Sequence, residues 1–225
     1  LFWGPGPCRP PFGPPPGATA ALYFPGKTDR IDGNPIVYGG NDLNQTTTRI
    51  SPEEIDRQRG FCAQIKAVNA ALPTPPLALV DTYGCQQNEA GSERLRGYLS
   101  EMGYAFTQSE AEADVIVLNT CAIREHAEQR VFGNLGALVH TKRRKPDQIV
   151  CVCGCMAQEK HVADKIRQSF RHVDLVFGTH ALWRFPELLW RILSRRGRVF
   201  DIPDEAGSMA EGIPVRREGK VKAWV

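Results

Sequence analysis

Three cysteines stand in short polar stretches whose spacing could build one site. Cys85 lies in Tyr83-Gly84-Cys85-Gln86-Gln87-Asn88, and Cys121 lies in Asn119-Thr120-Cys121-Ala122-Ile123-Arg124-Glu125. Cys155 lies in Gly154-Cys155-Met156-Ala157-Gln158. The three are 36 and 34 residues apart, each step about one strand-helix-strand repeat. Each follows an apolar run of strand type. Neighbouring strands of a parallel sheet lie about 4.8 Å apart, so three such cysteines would meet at the carboxyl edge, where open α/β sheets bind ligands. Each also precedes a predicted helix, whose positive end and free N–H groups stabilise a thiolate or an anionic group. Three converging soft ligands suit an iron–sulfur cluster or zinc. A four-iron cluster held by three cysteines keeps one iron open to an outside ligand, which makes it reactive. Any one of these thiols, taken alone, is more often a core residue than a ligand, since cysteine is among the most buried residue types. Their recurrence at equivalent loop positions favours a shared site.

The other four cysteines read differently. Cys151 and Cys153 alternate along one strand, on the face opposite Val150 and Val152, and are expected in the core. A redox pair of Cys153 and Cys155 would lack the usual two-residue spacer. Cys62 lies on the apolar face of an early helix, and Cys8 lies in a Pro-rich tail. The five histidines, at 126, 140, 161, 172 and 180, show no metal-ligand spacing. There is no Gly-x-Gly-x-x-Gly, no phosphate-binding Walker loop and no legible Ser-His-Asp set, so dinucleotide, P-loop and serine-hydrolase readings fall away. No residue is assigned a catalytic role.

The elements that must position the cysteines are alternating strands and helices. Strands are expected at 77–83, 104–107, 114–119, 148–153 and 173–177, with helices at 88–102, 124–143, 157–170 and 186–196. Arg198–Ile202 could add an edge strand. This order predicts an α/β fold: a flavodoxin-like parallel five-stranded sheet, order 2-1-3-4-5, with helices on both faces. Residues 1–26 contain 8 Pro and 5 Gly, half of the segment, and residues 1–50 are expected to be a disordered or extended tail. Residues 51–75 read as one helix and a Pro-rich linker. Ser51 is the expected N-cap, Pro52 stands at N1, and Glu54 stands at N3 of a capping box. The sheet domain is expected over 76–197, with a linker over 198–225.

The chain has 225 residues and a net charge of +3. Residues 1–121 hold 9 basic and 13 acidic groups, whereas residues 122–225 hold 19 basic and 12 acidic ones. The second half could meet a polyanion, and Lys142-Arg143-Arg144-Lys145 is its densest basic run, although cations at a helix C-terminus are favourable through the dipole alone. No apolar run is long enough to span a bilayer, so no membrane role is expected. An odd cysteine count without an export signal points to a reducing cytoplasm.

The three cysteine stretches, together with Val176-Phe177-Gly178-Thr179, resemble the N-terminal domain of the methylthiotransferase family. The Gln-Gln-Asn and Ala-Ile-Arg-Glu variants are most similar to the branch acting on isopentenyladenosine in tRNA. The resemblance covers about residues 76–197. It implies that Cys85, Cys121 and Cys155 ligate an auxiliary 4Fe–4S cluster, thought to carry the sulfur that is donated. It implies a radical enzyme that adds a methylthio group at carbon 2 of the modified adenosine next to the anticodon. That enzyme would use a second 4Fe–4S cluster and S-adenosylmethionine in a central domain, through a Cys-x3-Cys-x2-Cys motif. No cysteine follows Cys155 here. The chain is therefore expected to be a fragment ending ahead of the radical domain, monomeric and inactive on its own. A free-standing module holding an iron–sulfur cluster or zinc is the alternative. A sheet binding a small phosphorylated ligand, with the cysteines merely buried, is a third.

Overall fold

The computed structural model describes residues 50–122, 127–195, 197–203, 214 and 216. The expected tail, Cys8, Ile123 to Glu125 of the second cysteine stretch, and most of the expected linker after residue 203 lie outside these residues.

Strands β1 (Leu77–Tyr83), β2 (Ala105–Phe106), β3 (Val115–Thr120), β4 (Ile149–Gly154), β5 (Leu175–Phe177) and β6 (Val199–Asp201) form one sheet. Its order is β2-β1-β3-β4-β5-β6, and every pairing is parallel. The flavodoxin-like class and the order 2-1-3-4-5 hold. The count of five is corrected to six, because Val199 to Asp201 pair with Leu175 to Phe177 at the outer edge. The helices are α1 (Pro52–Ala70), α2 (Gln86–Glu101), α3 (Ala127–Arg144), α4 (Cys155–Gln158), α5 (Lys160–Ser169) and α6 (Phe185–Arg195), with a 3-10 turn at Thr179–Arg184. The single helix expected over 157–170 is two. Glu159, at φ −70° and ψ 119°, is extended and breaks it.

Every residue of β3 and β4 is buried, as strands covered on both faces must be. The two faces feed two cores. Val115, Val117, Cys151, Cys153, Leu175 and Phe177 face α1, α2 and α6, while Ile116, Leu118, Val150, Val152 and Val176 face α3 and α5. Each buried aliphatic side chain stabilises by about 1.5–3 kcal/mol, so the central strands are the most firmly held part of the fold. Helix α1, read in sequence as lying outside the sheet domain, shares its core through Cys62 and Ile65. Ser51 caps it as expected, accepting from the Glu54 N–H at 3.3 Å. Glu54 pairs with Arg57 at 2.7 Å. Gln58, 1 % exposed, accepts from the Glu187 N–H at the start of α6. No helix among the described residues is long and apolar enough to cross a membrane.

The amino edge of the sheet collects helix C-termini and their cations. Lys142 donates to the Gln148 carbonyl and pairs with Asp174 at 2.9 Å, and Lys145 pairs with Asp114 at 2.9 Å. The guanidinium of Arg198 donates to the carbonyls of Ile166, Arg167, Phe170 and Val173, closing the end of α5. Two of the four cations in the basic run are therefore structural, and the run lies at the opposite end of the sheet from the cysteine stretches.

His172 is part-buried here, its ring N–H donating to the Leu135 carbonyl at 2.7 Å. Burial holds this imidazole below its ordinary value. The unfolded chain therefore binds the proton more readily than the folded one. The stability this neutral ring contributes is complete above about pH 6.5 and is lost as pH falls through the depressed folded value. The melting temperature of His172→Gln should fall less than that of the parent between about pH 7 and pH 5, as differential scanning calorimetry can read. Parallel curves would refute this role for His172.

Candidate metal centre

The register of the sheet brings the three cysteine stretches together. Tyr83 pairs with Thr120, and Thr120 pairs with Gly154. Cys121 and Cys155 thus follow level strand ends directly, and Cys85 follows Tyr83 with Gly84 between them. Cys85 and Cys121 flank the gap between β1 and β3, where the strand order reverses and open sheets place their ligands, and Cys155 stands one strand further along.

Cys85 is the N-cap of α2, with φ −86° and ψ −177°. It forms a capping box with Asn88: the Cys85 N–H donates to Asn88 Oδ1 at 3.3 Å, while its sulfur faces the Asn88 N–H. That backbone N–H, with further help from the Gln87 N–H and the Cys121 thiol, holds the Cys85 thiol below its ordinary value against burial. The thiols of Cys62, Cys151 and Cys153 go the other way. Burial pushes Cys62 up to about 12 and raises Cys151 and Cys153 as well. The structure therefore divides the cysteines as the alternation along β4 led us to expect, with Cys151 and Cys153 fully buried in the core.

Cys121 is 1 % exposed, and its thiol contacts that of Cys85. Cys155 is half-buried and is the first residue of the four-residue α4. Its sulfur lies 3.9 Å from both Nδ2 and Oδ1 of Asn88, and the Cys85 sulfur lies 3.4 Å from that Oδ1. Two of the three thiols thus border the Asn88 carboxamide. Among the described residues, no three Cys, His, Asp or Glu side chains converge as a site for a single metal ion.

Beneath the thiols runs a buried polar network to which the sequence reading gave no role. Asn88 Nδ2 donates to Asn119 Oδ1 at 3.0 Å and to the Thr120 carbonyl at 2.9 Å. Asn119 Nδ2 donates to the Asn88 carbonyl at 2.7 Å and to Ser92 Oγ at 3.0 Å, and Ser92 shares a hydrogen bond with Thr82. Asn88, Ser92, Asn119 and Thr120 are all 3 % exposed or less. Two glycines make room for this network. A Cβ on Gly84 would overlap the Asn88 carboxamide, and one on Gly154 would overlap the Thr120 carbonyl and lie 2.6 Å from Asn119 Oδ1. Gln158 Nε2 donates to the Pro203 carbonyl at 2.6 Å, fastening α4 to the segment after β6.

Residues 78–178 match the family described as uncharacterized protein family UPF0004. The chain is 44% identical over 180 residues to the tRNA-2-methylthio-N(6)-dimethylallyladenosine synthase of Acetivibrio thermocellus, covering 78% of this chain and 38% of that protein. It is 43% identical over 176 residues to the synthase of the same name from Alkaliphilus oremlandii, covering 78% of this chain and 37% of that protein. It is 45% identical over 177 residues to that of Clostridioides difficile, covering 77% of this chain and 37% of that protein. The chain thus spans less than two fifths of the length of these curated relatives. Through residues 78–178, with the three cysteines at the edge of its sheet, the chain matches the UPF0004 family, and the curated relatives it resembles bear the name of tRNA methylthiotransferases.

Proposed function

We propose that residues 76–197 are the N-terminal domain of a tRNA-modifying methylthiotransferase and that Cys85, Cys121 and Cys155 hold its auxiliary 4Fe–4S cluster. The observation that carries this reading is the meeting of the three stretches at the level ends of β1, β3 and β4. The donor set fits the group: three thiols, one of them biased toward thiolate by the first turn of α2, suit a cluster that prefers soft anionic ligands. When bound, the cluster would supply the sulfur that becomes the methylthio group on carbon 2 of isopentenyladenosine.

The chain's own residues do three things in this scheme. The N–H groups of Gln87 and Asn88 stabilise negative charge on the Cys85 sulfur. The network of Asn88, Asn119, Ser92 and Thr82 ties the start of α2 to the ends of β1 and β3, and Thr120 Oγ1 donates to the Cys153 carbonyl of β4. The crowding around Gly154 sets where the Cys155 backbone begins. The residues after Cys155 include no cysteine that could hold a second cluster, so radical chemistry is assigned to none of them. Free thiols at the site match a reducing cytoplasm.

A chimera tests the reading. Residues 50–203 would replace the matching segment of the Clostridioides difficile synthase, in a host lacking that activity. We expect 2-methylthio-isopentenyladenosine in the host tRNA by mass spectrometry, and at least a hundredfold less when the chimera carries Cys85→Ala. A chimera that holds iron through its cysteines yet leaves the tRNA unmodified would refute methylthiolation.

A further inference from the structure

We propose that the outer face of α5 docks the phosphodiester backbone of RNA, along a track from Lys160 near the cysteine edge of the sheet to Arg167, Arg171 and Arg198 at the opposite edge. The inference rests on the tRNA reading above and deepens it by naming the face that holds the RNA. Helix α5 follows α4, whose first residue is Cys155, and its 10 residues span about 15 Å. Val162, Ala163 and Ile166 face the core. Lys160, His161, Lys165 and Arg167 are exposed on the helix, and Arg171 and Arg198 are exposed just beyond its end.

Acids do not balance the arginine cluster. Burial, and then the charges of Arg167 and Arg171, hold the Arg198 guanidinium below its ordinary value, while Asp174 pulls the other way. The Asp174 carboxylate is already committed: it pairs with Lys142 at 2.9 Å and accepts from the Val150 N–H at 2.8 Å. Arg167 has only the exposed Asp164, at 3.9 Å, and Arg171 has no carboxylate partner among the described residues. Midway along the helix, Lys165 pairs with Glu128 at 3.5 Å, both about half exposed. Exposed pairs this long give way readily to a competing anion, and a phosphate backbone supplies one at every nucleotide.

Helix polarity explains only part of this charge. Cations in the last turn are favoured by the dipole, which suits Arg167. Yet Arg198 alone closes the end of α5, donating to the carbonyls of Ile166, Arg167, Phe170 and Val173. Arg167 and Arg171 are surplus to that closure. At the other end the dipole opposes what is found: the first turn holds Lys160 and His161 and no acid, and Glu159 before it makes no side-chain cap. Phe200 adds a platform. The guanidinium carbons of Arg167 and Arg198 lie 4.6 and 5.0 Å from its ring centroid. Stacking fixes the plane of Arg167 and leaves its N–H edge for a phosphate. Contacts of this kind position a nucleic acid without reading its bases. A backbone laid along α5 would lead to the thiols at the start of the track.

Fluorescence anisotropy of a labelled anticodon stem-loop RNA, titrated with the full chain across a salt series, tests the track. Arg167→Gln/Arg171→Gln and, independently, Lys160→Gln/Lys165→Gln should each weaken binding about tenfold or more at about 0.1 M salt. Each pair should also lower the slope of log K against log salt by about 1.5. Arg94→Gln/Arg191→Gln removes exposed arginines from α2 and α6, on the other face of the sheet. It should bind within about twofold of the parent, with an unchanged slope. Equal weakening by all three pairs would mean that net charge alone is felt, and parent-like binding by both α5 pairs would place the RNA elsewhere. Either result overturns the proposal, as does a parent chain that binds no RNA or binds phosphatidylserine vesicles more tightly. The readout needs no iron. A chain that takes up no iron yet shows these differences would refute the cluster reading and leave the RNA track standing.

Discussion

Single replacements of Cys85, Cys121 and Cys155 by alanine should each cut the iron retained after anaerobic loading at least tenfold. The parent should hold about four irons and a comparable amount of sulfide per chain. The expectation follows from the level ends of β1, β3 and β4, which give each thiol a separate approach to one group. Losing one thiolate leaves two points of attachment and opens a further iron to solvent and chelator. The same replacement at Cys62, Cys151 or Cys153 should leave iron within about a fifth of the parent value. Those thiols lie in the core, and burial keeps them protonated. Cys151→Ala and Cys153→Ala should instead lower stability by about 1–2 kcal/mol through the small cavity they create. The two groups of variants thus fail in opposite ways, one in iron and the other in melting temperature. Cys121 is the sharpest case, because at 1 % exposure it would be assigned to the core by burial alone. If Cys121→Ala kept its iron and merely melted earlier, Cys121 would be a packing residue and the three-thiol site would be refuted.

Most of the scaffold for this site was legible in the sequence because its signals are local. Continuous apolar runs mark β3 and β4, and 3.6-residue periodicity marks the helices around them. The face shared by Cys151 and Cys153 follows from alternation alone, and the burial of both bears it out. The sixth strand was harder to read. β6 is three residues long and half-buried, with little apolar pattern, and is stabilised mainly by pairing with β5. The break at Glu159 was missed because the apolar spacing runs on across it. The polar network was missed for a different reason. Asn119 is distant in sequence from Asn88 and Ser92, and a polar residue in a loop or at a helix start reads as solvated unless the fold buries it. Two signals pointed to them. Asn88 stands three residues after a cysteine at a predicted helix start, where an N3 side chain closes a capping box. Asn119 ends an otherwise apolar buried strand, where a polar side chain needs a partner.

Gly154→Ala should be among the most destabilising single substitutions in the domain, costing about 2–6 kcal/mol. Gly154 ends β4 at φ 97° and ψ −171°, a region that glycine alone occupies without strain. Forcing alanine there costs about 1–3 kcal/mol in the backbone. The added methyl also meets the Thr120 carbonyl, and its other close neighbour is Asn119 Oδ1 at 2.6 Å. A carbonyl in a paired strand cannot rotate away as a long side chain can, so β3 and β4 must separate locally. Overpacking of this kind adds about 1–3 kcal/mol. For a domain of this size the sum corresponds to a fall of roughly 10 °C in melting temperature. Gly133→Ala in α3 is the contrasting case. A Cβ there meets nothing within 4 Å, so the change should stabilise by about 0.5–1 kcal/mol through helix propensity alone. The damage from Gly154→Ala should also reach the thiols. Thr120 and Asn119 both bond to Asn88, and Cys155 is the next residue along the chain. Iron retention should therefore fall even at temperatures where the variant remains folded by circular dichroism. A Gly154→Ala protein that melts within about a degree of the parent would show that the strand ends do not stand as close as the register requires, and the shared site would lose its scaffold.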